Sequence, residues 1–130
     1  MSRIEARPIH VPEIEAFLRL LCDSFDLDYS RAREIFLSEP SFDLDRKWAL
    51  FVEGEIMSIL TTTPLWFGET RTIGIAGVAT RRDQRGQGYA RQLLEACLAA
   101  ADHVGERAAI LFARDASLYD QVGFTIVDQV

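Results

Sequence analysis

The segment RRDQRGQGYARQLL (81–94) concentrates arginine and glycine in an otherwise acidic chain. Gly86 and Gly88 lie one residue apart, and an apolar pattern of helical spacing begins directly behind them. The first amides of a helix have no partners within it, and with the helix dipole they attract anions. Glycine lets a ligand approach the backbone because it has no Cβ. The segment therefore predicts a bound pyrophosphate on the amides of 86–91. The arginines that add positive charge there are Arg81, Arg82, Arg85 and Arg91.

Two common phosphate-binding motifs do not fit this segment. The dinucleotide fingerprint requires a third glycine where Arg91 stands, and the P-loop requires Lys-Ser/Thr after its glycines. The pattern that does fit is Arg-x-x-Gly-x-Ala, from Arg85 to Ala90. From the preceding strand into the following helix, the segment resembles the coenzyme A pyrophosphate motif of the GCN5-related N-acetyltransferases.

A second motif supports this resemblance. The stretch LYDQVGF (118–124) is similar to the family's Leu-Tyr-x-x-x-Gly-Phe, and it stands one helix and one strand after the first motif. The resemblance is specific over 47–124. Before that, only the order of one strand and two helices agrees with the family.

The resemblance implies a ligand and a site. Acetyl-CoA would lie in a cleft between two splayed parallel strands, 70–80 and 107–113, with its pantetheine arm bound along the first as an added strand would be. Tyr119 would be the catalytic residue, because a phenol can protonate the departing thiolate. No metal is expected. The implied cofactor-binding residues are Val78, Ala79, Thr80, Arg85, Gly86, Gln87, Gly88, Tyr89, Ala90 and Arg91.

Periodicity and turn residues predict the elements that position this site. Gly74 and Gly77 interrupt the strand 70–80, which indicates a bulge or a close backbone approach. The fold class is α+β: three layers, with a mixed, largely antiparallel sheet flanked by helices, in a single domain 1–130. The predicted elements are strand 4–9, helix 12–25, a helix capped by Asp28 that ends before Pro40, hairpin strands 48–52 and 56–60, strand 70–80, helix 89–104 with its stop at Gly105, strand 108–113, helix 116–122 and strand 123–130.

Composition narrows the class of protein. The net charge of −6 and the pI of about 4.9 argue against nucleic-acid binding. No stretch approaches the roughly 20 apolar residues of a membrane span, and the N-terminus lacks an apolar signal core. Cys22 and Cys97 form no CxxC and have no histidine at ligand spacing, so we interpret both as buried thiols. We expect a cytoplasmic protein.

The acceptor is expected to be a primary amine on a small molecule or a peptide. The family's first two helices form a wall of the acceptor site, and 23–45 is rich in acidic residues. This wall predicts a cationic acceptor, although a solvated acidic face would give the same pattern. The aromatic residues that would line an apolar pocket, or else belong to the core, are Phe42, Trp48, Trp66 and Phe67.

No general base is identified from the sequence. The strand 70–80 contains no Glu, Asp or His. Each candidate elsewhere in the chain has a simpler explanation as a turn, cap or helix-end residue. A water chain or the terminal carboxylate stays open. The residues weighed for this role are Glu53, Glu55, Asp115, His10 and His103.

The sequence features are consistent with three functions. An acetyltransferase fits best, a non-catalytic acetyl-CoA sensor of the same fold is the alternative, and a protein for another nucleotide is the third. The chain ends six residues after Phe124, where relatives add a further strand. Either the chain is truncated or a partner subunit completes the sheet, and since an unpaired strand edge promotes association, we expect a homodimer.

Overall fold

The strands of the described chain form one mixed sheet in the order β1-β2-β3-β4-β5. A computed structural model describes residues 3–39, 43–113 and 117–125. The elements are β1 (Ile4–Pro8), α1 (Ile14–Phe25), α2 (Tyr29–Ser38), β2 (Lys47–Val52), β3 (Glu55–Phe67), β4 (Thr70–Thr80), α3 (Tyr89–His103), β5 (Ala108–Leu111) and α4 (Ser117–Asp120). Short 3-10 turns lie at Val11–Glu13, Leu44–Arg46 and Arg82–Gln84.

The sheet is mostly antiparallel. Strands β1 to β4 pair antiparallel with their neighbours, whereas β5 pairs parallel with β4 after the crossover through α3. This arrangement confirms the predicted mixed, largely antiparallel sheet flanked by helices. Pro8 ends β1 at the edge of the sheet, where its missing N–H costs no ladder hydrogen bond.

The two glycines of β4 occur in different structural settings. Ile59 pairs with Ala79 and Thr61 with Ala76, so β4 contains one extra residue between these pairs, and Gly77 adopts a φ of 64° there. This is a β-bulge. At Gly74 a Cβ would lie 3.0 Å from Leu65 Cδ1, a tight contact with the end of a flexible side chain. Of the two features predicted for these glycines, the bulge thus occurs at Gly77 and the close approach at Gly74.

Two apolar cores cover opposite faces of the sheet. The first packs α1 and α2 on the sheet around Phe17, Leu18 and Ile59. The second packs α3 on the other face and includes Leu93 and Cys97. Both cysteines are free and buried, as predicted, and burial raises the pKa of the Cys97 thiol to about 12. That thiol is therefore neutral at physiological pH.

Most helix boundaries follow the sequence signals. The Asp28 side chain accepts a hydrogen bond from the Arg31 amide at 3.0 Å, which confirms the cap of α2. The helix ends at Ser38, before Pro40. The chain leaves α3 through Gly105, whose φ is 87°. The predicted helix 12–25 begins instead as a 3-10 turn, with α1 starting at Ile14.

Four predicted boundaries were wrong. Strand 56–60 extends to Phe67, because the TTTPLWF segment pairs along β4. Strand 108–113 ends at Leu111. Helix 116–122 ends at Asp120, since the amides of Val122 and Phe124 both bond the Tyr119 carbonyl in a turn through Gly123. The predicted strand 123–130 does not begin at Gly123, which lies in a turn, and Phe124 and Thr125 are not in a strand either. The rest of that strand, Pro40, Phe42 and Asp115 lie outside the described residues.

An ion pair fixes the start of the chain against α1. Arg7 Nη1 and Nη2 lie 2.9 and 2.8 Å from the two carboxylate oxygens of Glu13, and the His10 amide donates to Glu13 Oε1 at 2.7 Å. These contacts, led by the hydrogen bond from Arg7, lower the pKa of Glu13 to about 2. The carboxylate therefore stabilises the folded state in its ionised form.

We expect Glu13→Gln to lower the free energy of unfolding by about 1–2 kcal/mol at pH 7. The carboxylate's stabilising effect is present above its unfolded pKa near 4.5 and is lost as the pH falls towards 2. The difference between variant and parent in urea unfolding should therefore shrink over that range. Glu15→Gln, which removes an exposed ion pair with Arg19, is the control. An equal difference at pH 7 and pH 2 would contradict this account.

Candidate functional site

The pairing of β4 with β5 stops halfway along β4. The strands pair from Thr72–Ala108 to Ile75–Leu111, and β4 continues to Thr80. Within the described residues no strand pairs with the β5 side of Ala76–Thr80, so a wedge opens between β4 and β5. On the other side, Ser58 Oγ donates to the Ala79 carbonyl at 2.9 Å and lies 3.1 Å from Thr80 Oγ1. Strand β3 thus holds this end of β4 in place while its other edge is open to an extended ligand.

The predicted backbone residues lie at this open end. Ala79 is buried against the α1 side, whereas Val78 and Thr80 are half-buried. Val78 sits within the bulge and packs against the core under α3. The bulge re-aims the strand edge, which is the usual effect of an extra residue in one strand.

A glycine turn connects this edge to α3. Gly86 and Gly88 have φ values of 82° and 80°, and a Cβ at either position would meet nothing within 4 Å. The backbone conformation requires glycine here, and the space beside the turn is open. Gln92 donates the first helical hydrogen bond, to the Gly88 carbonyl at 3.1 Å.

The amides before Gln92 are the ones that the sequence predicts to bind an anion. In the part of the chain that the structure describes, no hydrogen bond is donated by the amides of Gly86, Gln87, Gly88, Tyr89, Ala90 or Arg91. Gly86, Gln87 and Gly88 are exposed, and Tyr89 and Ala90 are half-buried. These amides lie at the N-terminus of a 15-residue helix, so the helix dipole adds to their attraction for an anion. We call residues 86–91 the amide cradle.

The four arginines around the cradle are not equivalent. Arg81 lies 3.0 Å from Asp83 and 3.6 Å from Glu55, and Arg91 lies 3.0 Å from Glu95. Among the described residues, Arg82 and Arg85 have no carboxylate partner: Arg82 donates to the Asp23 carbonyl at 3.2 Å, and Arg85 Nε donates to the Thr80 carbonyl at 3.5 Å. Arg85 thus bridges the end of β4 and carries an uncompensated charge into the turn.

Tyr119 lies in α4 and packs against the core under α3, as do Val78 and Tyr89. Its ring meets the Phe124 ring edge to face, with 6.0 Å between centroids. Burial raises the pKa of the Tyr119 phenol, so it stays protonated at neutral pH. Within the described chain its hydroxyl makes no hydrogen bond. Arg91 Nη1 also donates to Gln121 Oε1 at 3.4 Å, which links the amide cradle to the segment after Tyr119.

The acidic residues of 23–45 do not form one wall. Asp28 caps α2, Asp43 accepts from the Asp45 amide at 2.9 Å, and Glu39 lies 3.5 Å from Lys47. Asp23 and Asp26 do face a cavity of about 1000 Å³ between α1, α2 and the β2–β3 turn. Sequence analysis missed this cavity, because it forms between segments far apart in the chain. Its charged lining is mixed: Glu13, Asp23, Asp26 and Glu55 against Arg19, Arg81 and Arg82.

The aromatic residues do not converge on a pocket in the described chain. Trp48 is half-buried against the core under α3. Trp66 and Phe67 follow one another at the end of β3 and are each 68% exposed. The core interpretation therefore holds for Trp48 and was wrong for Trp66 and Phe67.

The candidate bases have other partners or lie at exposed positions. Glu53 and Glu55 flank the β2–β3 turn, where Glu53 Oε1 accepts from the Arg3 amide at 2.7 Å and Glu55 pairs with Arg81. His10 and His103 are exposed. No sequence pattern pointed to Glu106, which is buried and accepts hydrogen bonds from Arg46 Nη1 on both carboxylate oxygens, at 3.1 and 3.0 Å. This pair anchors the start of β5, at the closed end of the wedge.

The model of the acetyltransferase (GNAT) domain matches residues 5–127. The chain belongs to the GNAT acetyltransferase family. A search of curated proteins gave no match.

Solved structures support the fold of this GNAT chain. A GCN5-related N-acetyltransferase from Kribbella flavida has a TM-score of 0.82 at 22% identity, over 94% of this chain and 33% of that one. A GNAT family acetyltransferase from Brucella melitensis, in complex with acetyl-CoA, has a TM-score of 0.79 at 15% identity, over 97% and 85%. Glucosamine-6-phosphate N-acetyltransferase from Arabidopsis thaliana has a TM-score of 0.71 at 14% identity, over 98% and 95%. The chain spans only about a third of the Kribbella protein.

The described residues contain no helix long and apolar enough to cross a membrane. They also contain no cluster of His, Cys, Asp and Glu suited to a metal ion.

We expect Arg85→Ala to weaken acetyl-CoA binding about 10-fold or more, because a charged hydrogen bond to phosphate contributes about 1.5–3 kcal/mol. Isothermal titration calorimetry measures the dissociation constant directly. Arg82→Ala is the matched control: its guanidinium is also exposed and without a carboxylate partner in the described chain, but it contacts Asp23 on the α1 side. Equal losses in the two variants, or none in Arg85→Ala, would contradict a specific role for Arg85.

Proposed function

We propose that this protein transfers an acetyl group from acetyl-CoA directly to the primary amine of a small molecule or a peptide. The observation that carries this proposal is the continuity of the wedge beside Ala76–Thr80 with the amide cradle at 86–91. An extended arm ending in a pyrophosphate matches an open strand edge that leads into a helix N-terminus. Family membership and the acetyl-CoA complex of the Brucella melitensis protein add support.

The residues of the cleft fit this ligand. The unpaired backbone edge at Val78, Ala79 and Thr80 would bind the amide groups of the pantetheine arm. No atom blocks the space beside Gly86 and Gly88, so the pyrophosphate could approach the backbone there. The groups that would hold it are the amides of Gly86, Gln87, Gly88, Tyr89, Ala90 and Arg91, together with the Arg85 guanidinium. No metal ion is part of the proposal.

Tyr119 would act as the general acid. Acetyl-CoA supplies a thioester, whose carbonyl carbon the amine nitrogen attacks while the carbon–sulfur bond breaks. The phenol is protonated because burial raises its pKa, and its hydroxyl has no competing partner in the described chain. It would donate its proton to the departing thiolate sulfur and recover one from solvent.

The acceptor ammonium must lose a proton before it attacks. Strand β4 carries no carboxylate or imidazole side chain. We therefore propose that water in the open wedge receives this proton. The same observation is what a non-catalytic acetyl-CoA sensor of this fold would show, and the assay below separates the two functions.

The remaining proposals concern context. A homodimer, a cytoplasmic location and a single domain over 1–130 stay predictions of the sequence. Nucleic acid and membranes are not among the proposed partners.

We expect Tyr119→Phe to lower kcat about 100-fold or more, the usual scale of general acid catalysis. The dissociation constant of acetyl-CoA should change less than about twofold, because the ring is retained. Thiol release over a panel of amines measures kcat, and calorimetry measures binding. Tyr29→Phe, on the far side of the sheet, is the control and should match the parent. Unchanged kcat in Tyr119→Phe would remove the residue from the mechanism, and tight acetyl-CoA binding with no thiol release from any amine would favour the sensor.

A further inference from the structure

Among the described residues, the core under α1 and α2 does not extend over the second half of β3, the first half of β4 or β5. Ile73, Ile75, Ala109 and Leu111 point into the core under α3. Because side chains alternate along a strand, the residues between them point to the opposite face. The pairing register places Thr63, Gly74 and Ile110 in one row there, and Leu65, Thr72 and Ala108 in the next. We call this surface the open face.

The open face is apolar and uncharged. It consists of alternate residues of 61–67, 70–76 and 108–112, and each of these is apolar, glycine or threonine. The chain as a whole has 26% charged residues, so this composition is unusual for exposed surface. Within this face Thr72 is buried, and Gly74 and Ile110 are half-buried. Its exposed apolar side chains are Leu65 at 40%, Phe67 at 68% and Phe112, which continues the alternation after β5, at 92%. Exposed apolar patches of this kind mark binding surfaces.

The open face begins at the wedge. Ala76 and Phe112 stand where β4 and β5 part. From Ala76 the face follows β4 back to Thr70, a distance of roughly 20 Å at the rise of an antiparallel strand. On the other side of the wedge, α1 closes the surface: Leu21 Cδ1 lies 3.3 Å from the position of a Cβ at Gly77. An occupant of the open face would therefore reach the wedge at its end.

We propose that the acceptor is an amine on an elongated apolar body, an alkylamine or arylalkylamine, whose body lies on the open face with its amino group at the wedge. This inference rests on the proposed acetyl transfer and names the substrate class for it. Burial of an apolar body on this uncharged surface is favourable, because apolar surface is removed from water. A polycation would find no carboxylate on the open face to pair with. Asp23 and Asp26 line the separate cavity next to Arg81 and Arg82, past the other end of β4.

A second copy of the chain is the competing occupant. The open face is continuous with the wedge, which favours the amine as its occupant. A second subunit on this face would block the access of an acceptor to the acetyl group in the wedge. The second copy is an outcome of the test below.

The test is a homologous series of n-alkylamines from butylamine to decylamine, with thiol release as the readout. Each buried CH₂ contributes about 0.8 kcal/mol, so kcat/KM should rise up to about fourfold per methylene along the series. Spermidine and ethanolamine should be poorer acceptors than octylamine by about 10-fold or more. Acetyl-CoA binding is measured by calorimetry in the same preparations.

Two adjacent side chains give a matched pair of variants. Phe67 and Trp66 are equally exposed, at 68%, but point to opposite faces of β3. Phe67→Gln and Leu65→Gln should flatten the dependence of kcat/KM on chain length, while Trp66→Gln should keep the parent slope. Circular dichroism melts check that the variants are folded.

The outcomes separate this inference from the proposed function. A flat series, or a preference for spermidine, with acetyl-CoA bound and amines acetylated, would overturn the apolar acceptor and leave acetyl transfer intact. Failure to bind acetyl-CoA, or to acetylate any amine, would refute acetyl transfer and this inference together. A dimer in sedimentation that Phe67→Gln dissociates and Trp66→Gln does not would assign the open face to a second copy and overturn the amine site.

Discussion

The early end of the parallel pairing between β4 and β5 is the constraint on which the site depends. The two strands share four residue pairs, from Thr72–Ala108 to Ile75–Leu111, before they part. The bulge at Gly77 follows at once, so the free edge of β4 and its change of direction have a common position in the chain. A buried strand edge with unpaired amides and carbonyls is costly unless water or a ligand satisfies them. The wedge is therefore suited to bind an extended ligand with amide groups of its own.

The crossover helix places the second half of the site. Helix α3 begins nine residues after β4 ends, so a short turn connects its first amides to the end of β4 that borders the wedge. An extended polar edge and a positively polarised helix terminus then lie in sequence along one path. Arg85 reinforces the junction, because its guanidinium reaches back to the Thr80 carbonyl. A ligand that is extended at one end and doubly anionic at the other could contact the strand edge and the helix N-terminus at the same time.

The fold and the donor side of the site were largely readable from local signals. The glycines, the arginine spacing and the helix start stand within one short segment, and Gly77 marked the bulge, so short-range rules sufficed. Charge compensation was not readable: Arg81 and Arg91 are paired with carboxylates, whereas Arg82 and Arg85 are not, and only the fold decides which.

The acceptor side depends on long-range geometry, and the sequence described it poorly. The acidic residues of 23–45 were grouped by proximity in the chain, but several are caps or ion-pair partners once folded. The open face was missed because β3 was expected to end at residue 60 rather than Phe67. Without that extension, Leu65 and Phe67 had no strand to place them on one side. The alternation of side chains along a strand shows which residues share a face of the sheet only once the length and pairing of the strand are known.

The most direct test of the central claim is a two-dimensional ¹⁵N–¹H NMR titration of the protein with acetyl-CoA. The account predicts that the largest amide shifts occur at residues 86–91 and 78–80, and that ATP or NAD⁺ at the same concentration shifts them far less. Amides hydrogen-bonded within α3, such as those of Leu93 and Leu94, should move little and serve as the internal reference. Saturable acetyl-CoA binding with no shifts at the cradle or at β4 would contradict it, as would equal shifts with ATP.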